Sequence, residues 1–380
     1  CHVHAGNQWQ SLIIPVLAES LEMDEKDIVL NTYYLGGGFG RRLFGDQMIP
    51  AAHAARELGK PVKLVMTRPA DSLFDCVRSP SVARFDAAFD TEGALAAVDH
   101  AAAAGWPTLA MMPGFLGAGV DGAGKFDGFS INGADHWYSL ANHRVRAINN
   151  ELAQKTFLPG WLRSVGPGWI GWGVESFIDE IAARLGVDPL AYRLSLLDAQ
   201  GRQAGSAPMQ VGGASRLAAV LEDVRNRSRW GRSLPAGEGL GVAVAHGQER
   251  AMPTWSACVA HVVVDGSEVK VKKLWQTLDC GTVVHPDGAL AQAEGATLWG
   301  LSLALHEGTQ FENGQVLDRN LDSYTPLRMA DVPELAIKFM DNDEFPTGLG
   351  EPPMIAVAPA IGNAIFAATG RRVRDLPIRL

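Results

Sequence analysis

Apolar positions at Leu12, Ile13, Val16, Leu17 and Leu21 recur at helical spacing and predict a helix over 11–23, with Ser11 as its cap. The ten residues before it, CHVHAGNQWQ, read as a polar loop. The run IVLNTYYLGGGFG predicts a strand entering a glycine loop. Gln47 to Leu58 is Ala-rich at helical period and ends at Gly59-Lys60-Pro61, a helix stop. The apolar run VKLVMT (62–67) predicts a buried strand. Residues 82–103 alternate as a hairpin turning at Asp90-Thr91-Glu92-Gly93.

Residues 105–135 are rich in Gly and Met with little periodicity, which suits a structured loop near a site or a surface excursion. Residues 170–186 are helical and stop at Gly186; Asp188-Pro189 opens the next helix. Residues 200–236 are polar around one helix (215–226), and a domain boundary is placed there, giving units 1–205 and 206–380. Strands follow near 240–246, 256–264 and 269–278. A helix over 288–305, a strand near 336–340 and a helix from Pro359 to Thr369 complete the chain. The apolar helices 170–186 and 288–305 are expected at the core of each half. Strands and helices in this order describe an α+β protein.

Of 380 residues, 47 % are hydrophobic and 20 % charged, enough to build a large core and too apolar for a mainly disordered chain. The net charge of −9, without basic clusters, argues against nucleic acid as a partner. The four cysteines, at 1, 76, 258 and 280, form no CxxC pair, so neither a sequence-local zinc or iron–sulfur site nor a disulfide framework is expected. No unbroken apolar run reaches the length of a membrane span, and none is expected.

Two loops carry chemistry. Gly36-Gly37-Gly38-Phe39-Gly40-Arg41-Arg42 lets backbone approach a ligand closely, and two arginines follow, suited to phosphate or carboxylate. No GK[ST] follows, so it is no P-loop, and GxGxxG does not fit. A tight strand–helix connection would use the same glycines. The second loop, Gly348-Leu349-Gly350-Glu351-Pro352-Pro353, holds one carboxylate on a rigid turn, suited to a general base and also to an exposed turn residue.

These loops and their context resemble the molybdenum-binding subunit of the xanthine dehydrogenase and aldehyde oxidase superfamily, and within it the beta subunit of isoquinoline 1-oxidoreductase and related bacterial membrane-associated aldehyde dehydrogenases. The likeness is carried by YLGGGFGRR (34–42), GKPVKLVMTR (59–68), RSVG with ESFIDEIAARLGVDP (163–166, 175–189), DCGTVVHPD (279–287), AQAEGATLWGLSLAL (291–305), LDSYTPLRMADVPE (321–334) and GLGEPPMIAVAPAIGNAIFAATGRRVRDLPI (348–378). It implies two mixed-sheet molybdopterin-binding domains. It also implies hydroxylation of an aldehyde or electron-poor N-heterocycle with oxygen from water.

The resemblance makes Glu351, in the GxGE position, the base. Gln8 becomes a hydrogen-bond partner of the molybdenum group, Arg163 a steadying cation for the substrate, and Gln292 a pterin contact. Gly37, Gly38, Phe39, Gly40 and Arg41 become the cofactor loop, and no residue is assigned as a metal ligand. The implied cofactor is molybdopterin in its cytosine dinucleotide form. The implied partners are the N-terminal half as a separate chain of the same precursor, an iron–sulfur small subunit and a small-molecule substrate. The implied location is periplasmic or membrane-associated, with a cytoplasmic one as the alternative.

Three features depart from the family. Pro167 to Gly173 replaces a His and an Asn that many relatives carry, placing Trp161, Trp169 and Trp172 near the pocket to stack a flat ligand or to pack as core. His285 stands where relatives usually have Asn. The family's subunit is about twice this length. Because the chain opens at Cys1, a metal-free hydrolase is the alternative expectation: a self-cleaved precursor with Cys1 as nucleophile and its α-amino group as base. In either case the apolar face of helix 11–23 is expected to need a cover from residues preceding Cys1.

Overall fold

The structure, a computed structural model, describes residues 1–120, 122–198, 213–249 and 252–380. The chain opens with β1 (His2–Ala5), α1 (Gln10–Leu21) and β2 (Val29–Thr32), with β1 and β2 paired in parallel. α2 (Met48–Leu58) and α3 (Arg68–Leu73) follow. β3 (Ser81–Phe89) and β4 (Leu95–Ala104) make the expected antiparallel hairpin. After α4 (Pro107–Met111) and α5 (Gly128–Ile131), β5 (His143–Asn149) joins β4 in parallel, so this three-stranded sheet is mixed.

α6 (Glu151–Thr156), α7 (Val165–Leu185), α8 (Pro189–Ser195) and α9 (Gly213–Ser228) lead to a second sheet of β6 (Glu238–Glu249), β7 (Met252–Asp265) and β8 (Glu268–Asp279). α10 (Pro286–Leu305) and the small hairpin β9 (Phe311–Glu312) and β10 (Gln315–Val316) precede β11 (Glu334–Phe339). β11 lies parallel to β8, giving a mixed sheet of order β11-β8-β7-β6. α11 (Pro352–Ile355) and α12 (Val357–Thr369) close the fold.

Alternation along β6 and β7 sorts the core into two layers. Val242, Val244, Trp255, Ala257 and Val259 face one way and pack with α7 and α9. Ala243, Ala245, Cys258, Ala260 and Val262 face the other way and pack with α10 and α12. α7 reaches the first layer through Ile170, Val174, Ile178 and Ile181, a stripe at helical spacing. α12 lies tight on the sheet because β6 has glycine where it crosses. A Cβ on Gly241 would stand 2.1 Å from the Ala364 amide. Gly59 and Gly186 close α2 and α7 in left-handed backbone, as predicted.

Four expectations need correction. CHVHAGNQWQ is not all loop, because His2–Ala5 finds a parallel partner in β2 that its own pattern does not announce. VKLVMT is not a buried strand: no ladder forms at 62–67, and Leu64, Val65 and Met66 lie exposed, Val65 at 74 %. The apolar face of α1 needs no outside cover, since Ile13, Leu17 and Leu21 pack with Ile28 and with Met48 and Ala52 of α2. The apolar stretch Pro352–Thr369 does have the length and composition of a membrane span, but 78 % of it is buried inside the fold. Residues 199–212, which include the first part of the proposed boundary segment 200–236, lie outside the described residues.

His100 on β4 is fully buried, stacked 4.1 Å from the Phe85 ring, and neither ring nitrogen has a hydrogen-bond partner among the described residues. Burial lowers its pKa to about 4, with the charge of His143 adding to the fall and Asp99 opposing it. An unfolded imidazole takes up a proton below about 6.5, whereas buried His100 stays neutral down to about 4. The unfolded state therefore binds more protons across that window, and stability falls as pH drops through it, by up to about 3 kcal/mol. Unfolding of wild type and His100→Phe between pH 7 and pH 4 checks this: the variant should lose less stability on acidification.

Candidate functional site

Three segments far apart in sequence converge. The first is the glycine loop 36–42. Gln8 holds it from beneath, its Oε1 accepting from the amides of Gly40 (2.9 Å) and Arg42 (3.2 Å). Gly38 passes so close that a Cβ there would stand 2.4 Å from Gln8 Cδ. Gly40 has φ +87, and a Cβ would meet the Trp161 carbonyl oxygen at 1.7 Å, so only glycine fits. Phe39 also has positive φ, which leaves its ring half-exposed and set edge-on to Trp299, with centroids 5.0 Å apart.

The second segment is the turn Arg163-Ser164-Val165, which starts α7. Ser164 and Val165 both adopt left-handed backbone, at φ 71 and 34. Such strain in a β-branched residue persists only where its surroundings enforce it. The Arg163 amide donates to the Phe39 carbonyl (3.0 Å), joining this turn to the glycine loop. The Arg163 side chain is only 4 % exposed; its guanidinium lies 5.3 Å from the Phe39 ring and 5.5 Å from Trp299.

The third segment is 348–353. Side chains of β7 seat it: Thr254 Oγ1 donates to the Gly348 carbonyl (2.7 Å) and Ser256 Oγ to that of Pro352 (3.3 Å). Gln276 on β8 donates to the Pro353 carbonyl. Pro352 and Pro353 open α11, where first-turn amides have no intrahelical partner, so the prolines stiffen the loop without cost. Glu351 is thereby fixed just ahead of a helix.

The pieces meet at Glu351 and Arg163. The Ser164 amide donates to Glu351 Oε1 (3.0 Å), and Ser164 Oγ donates to the Glu351 carbonyl (3.2 Å). Arg163 Nε donates to the Gly350 carbonyl and Nη2 to Gln292 Oε1 (3.3 Å). Burial lowers the pKa of Arg163, and the nearby charge of Glu351 opposes that fall. Gln8, Phe39, Gly40, Arg163, Gln292 and Glu351 therefore form one connected site. Arg41 is joined to it only through the backbone, because its guanidinium is committed to Asp46 by two bonds (2.8 and 3.0 Å) and to Asp75.

Cys1 lies elsewhere, at the start of β1, with its α-amino group donating to the Asp27 carbonyl (2.7 Å). Among the described residues no contact links it to Glu351 or Arg163, and the hydrolase alternative finds no support. The indoles pack: Trp172 is in the second core layer, Trp169 lies against the first, and Trp161 donates to Thr108 Oγ1 (3.1 Å). Thr108 in turn binds buried Asp127, so the parts of the 105–135 segment around these two residues are structured and back the site. His285 caps α10, its Nδ1 accepting from the Gly288 amide (2.9 Å), which gives the departure from Asn a structural role.

The chain matches two domain families by sequence, each described as a molybdopterin cofactor-binding domain, at residues 1–196 and 220–333. This chain belongs to the molybdopterin cofactor-binding domain family. It is 56 % identical over 381 residues to a membrane-bound aldehyde dehydrogenase [pyrroloquinoline-quinone] of Gluconacetobacter polyoxogenes, covering 99 % of this chain and 49 % of that protein. It is 28 % identical over 387 residues to the isoquinoline 1-oxidoreductase subunit beta of Brevundimonas diminuta, covering 98 % and 46 %. The chain thus spans about half the length of these relatives.

Among solved structures it shares its fold with the aldehyde oxidoreductase of Desulfovibrio gigas, at TM-score 0.75 and 16 % identity, covering 98 % of this chain and 56 % of that one. The quinoline 2-oxidoreductase of Pseudomonas putida 86 gives TM-score 0.73 and 15 % identity, covering 97 % and 69 %. The predicted class, α+β with two mixed-sheet molybdopterin-binding domains of the xanthine dehydrogenase and aldehyde oxidase type, agrees with these findings.

The donor set fits such a group. Gln8 Nε2 and Arg163 Nη1 make no hydrogen bond among the described residues, Glu351 Oε2 is likewise unengaged, and space beside Gly36 is open. Free N–H donors around a glycine backbone suit an anionic, oxygen-bearing group.

Sequence reasoning missed Ser164, Trp299 and Arg78. Arg78 donates to the carbonyls of Arg163 (2.6 Å) and Val165 (3.5 Å). Only RSVG pointed near Ser164, and an isolated Arg78 gave no signal, because its role is set by contacts 85 and 87 residues away.

Proposed function

We propose that this chain is part of a molybdenum hydroxylase that oxidises an aldehyde or an N-heteroaromatic substrate with oxygen from water. The observation that carries the reading is the meeting of Glu351 with the glycine loop and Arg163 in a chain of this family. When bound, the molybdopterin supplies the redox centre that accepts two electrons from the substrate carbon. Gln8 Nε2 and the amides of 37–39 would hold that group, and Gln292 would contact the pterin.

Glu351 is the base. Ser164 fixes Oε1, so Oε2 is the oxygen that accepts a proton. Arg163, buried and restrained by Gly350 and Gln292, keeps Nη1 to stabilise negative charge on the substrate. Phe39 and Trp299 wall the position and limit water.

The cofactor form we propose is the cytosine dinucleotide, on the resemblance to isoquinoline oxidoreductases. The 56 % relative carries pyrroloquinoline quinone in its name, and this is the competing reading; the two family matches to molybdopterin domains favour the metal. We further propose units 1–205 and 206–380, supported by matches ending at 196 and starting at 220.

The proposed partners are the N-terminal half and an iron–sulfur subunit that carries electrons away. The first is supported by the large apolar side chains of Tyr33, Tyr34, Leu64, Val65 and Phe74, each left exposed by the described residues. A periplasmic or membrane-associated location is proposed from the relative named membrane-bound. Assay of the native complex for aldehyde oxidation before and after removal of its metal tests the reading.

A further inference from the structure

Arg78 sits behind the Ser164 turn, outside the residues assigned above. Its Nη2 donates to the Arg163 carbonyl (2.6 Å) and its Nη1 to that of Val165 (3.5 Å), bracketing the residue whose amide holds Glu351. No carboxylate of the described residues lies within ion-pair distance of it. Glu351, Glu307 and Tyr324 are its charged or titratable neighbours, and Tyr324 donates to Glu307. On one side Arg78 lines a small cavity of about 20 Å³ with Ser79, Gly105, Ser130, Gly166 and Trp169.

Two geometric facts need a cause. Ser164 and Val165 both occupy left-handed backbone, which neither residue type favours, and Val165 is β-branched. The Arg163–Ser164 peptide, which carries both the Arg163 carbonyl and the Ser164 N–H, must keep its orientation for that N–H to reach Glu351 Oε1. Arg78 binds the carbonyls of the two flanking residues with one planar group, whose nitrogens stand in fixed relation. A lysine carries the charge but offers a single point, so it can hold one carbonyl well and not both.

We infer that Arg78 is a positioning residue: it clamps the Arg163 and Val165 carbonyls and so holds the Ser164 amide on Glu351. The assignment rests on Glu351 being the base, as proposed above. Without the clamp the turn relaxes toward ordinary backbone, the Ser164 N–H swings away, and Glu351 loses its fixed oxygen. Small misplacements of a reacting group are costly, about 10²-fold for roughly 1 Å.

The test uses the full native complex with Arg78→Met and Arg78→Lys. Hydrogen exchange at the Ser164 and Val165 amides should speed up in Arg78→Met by at least about tenfold. Exchange within Ile170–Leu185 and cofactor content should stay at wild-type values. Turnover should fall by about 10²-fold with KM within a few-fold, the signature of a lost reacting geometry and not of lost binding. Arg78→Lys should recover part of the turnover.

Unchanged exchange and unchanged kcat in Arg78→Met overturn the inference. So does a fall in kcat that comes with faster exchange throughout α7 and loss of cofactor, because then Arg78 only supports the fold. If exchange speeds up locally while the wild-type complex oxidises no aldehyde or heterocycle, the clamp stands and the hydroxylase reading falls.

Discussion

Glu351→Gln should lower turnover by about 10²–10⁴-fold, the usual worth of a positioned base, while the complex keeps its cofactor. The separation follows from how the two carboxylate oxygens are used. Oε1 accepts from the Ser164 amide, and a glutamine oxygen can do the same, so the turn and the seat of Arg163 persist. Oε2 has no partner among the described residues and is the oxygen proposed to take the proton. An amide NH₂ in its place cannot. Steady-state kcat together with metal content per chain reads both halves. Activity within a few-fold of wild type would remove Glu351 as base.

Arg193→Met should destabilise the fold by about 3–5 kcal/mol, the cost of stranding one member of a buried ion pair. Arg193 is fully buried. Its Nε donates to Glu175 Oε2 (2.8 Å), Nη2 to the Glu175 carbonyl (2.7 Å), and Nη1 to that of Pro189 (3.0 Å). Glu175 also accepts from Tyr138 Oη (2.8 Å) and from the Val244 amide (2.9 Å). This one carboxylate therefore ties α7 to α8, to Tyr138 and to β6, across the proposed division of the chain.

Asp179 stands 3.5 Å from Arg193 and keeps a second cation, Arg372, at 2.6 Å. Methionine fills the space but leaves Glu175 charged and short of its cation. Thermal unfolding of the native complex should shift down by about 10 °C. Replacing Glu175 and Arg193 together with methionine should cost less than Arg193→Met alone, since no charge is then stranded. Equal or greater loss in the double variant would show that the pair acts through its neutral hydrogen bonds.

How legible this protein was in its sequence varied with how local the cause was. Helices α2, α7, α8, α9 and α10 were readable because each has an apolar stripe and a glycine or proline at an end. The β3–β4 hairpin was readable from alternation and its Asp-Thr-Glu-Gly turn. β1 was not, since four residues of mixed polarity become a strand only beside β2.

VKLVMT misled because apolar residues predict burial only when a neighbour arrives, and among the described residues none does. The same gap hid the cover of α1: that α2 folds back onto it is a tertiary fact that periodicity does not contain. The site was legible as loops and not as geometry. Glycines at 36–40 and a glutamate between glycine and proline announce special backbone. The strained Ser164 and the bond from its amide to Glu351, 187 residues away, leave no trace in composition. Arg41 shows the converse, an arginine placed by sequence to meet a ligand and spent instead on Asp46 and Asp75.

The central claim is that this fold works with a pterin-borne molybdenum. Molybdenum per chain in the native complex, measured alongside extractable pyrroloquinoline quinone, tests it most directly. About one molybdenum per chain is expected, with loss of aldehyde or heterocycle oxidation in step with loss of metal. A fully active complex that holds no molybdenum, with quinone in its place, would contradict it.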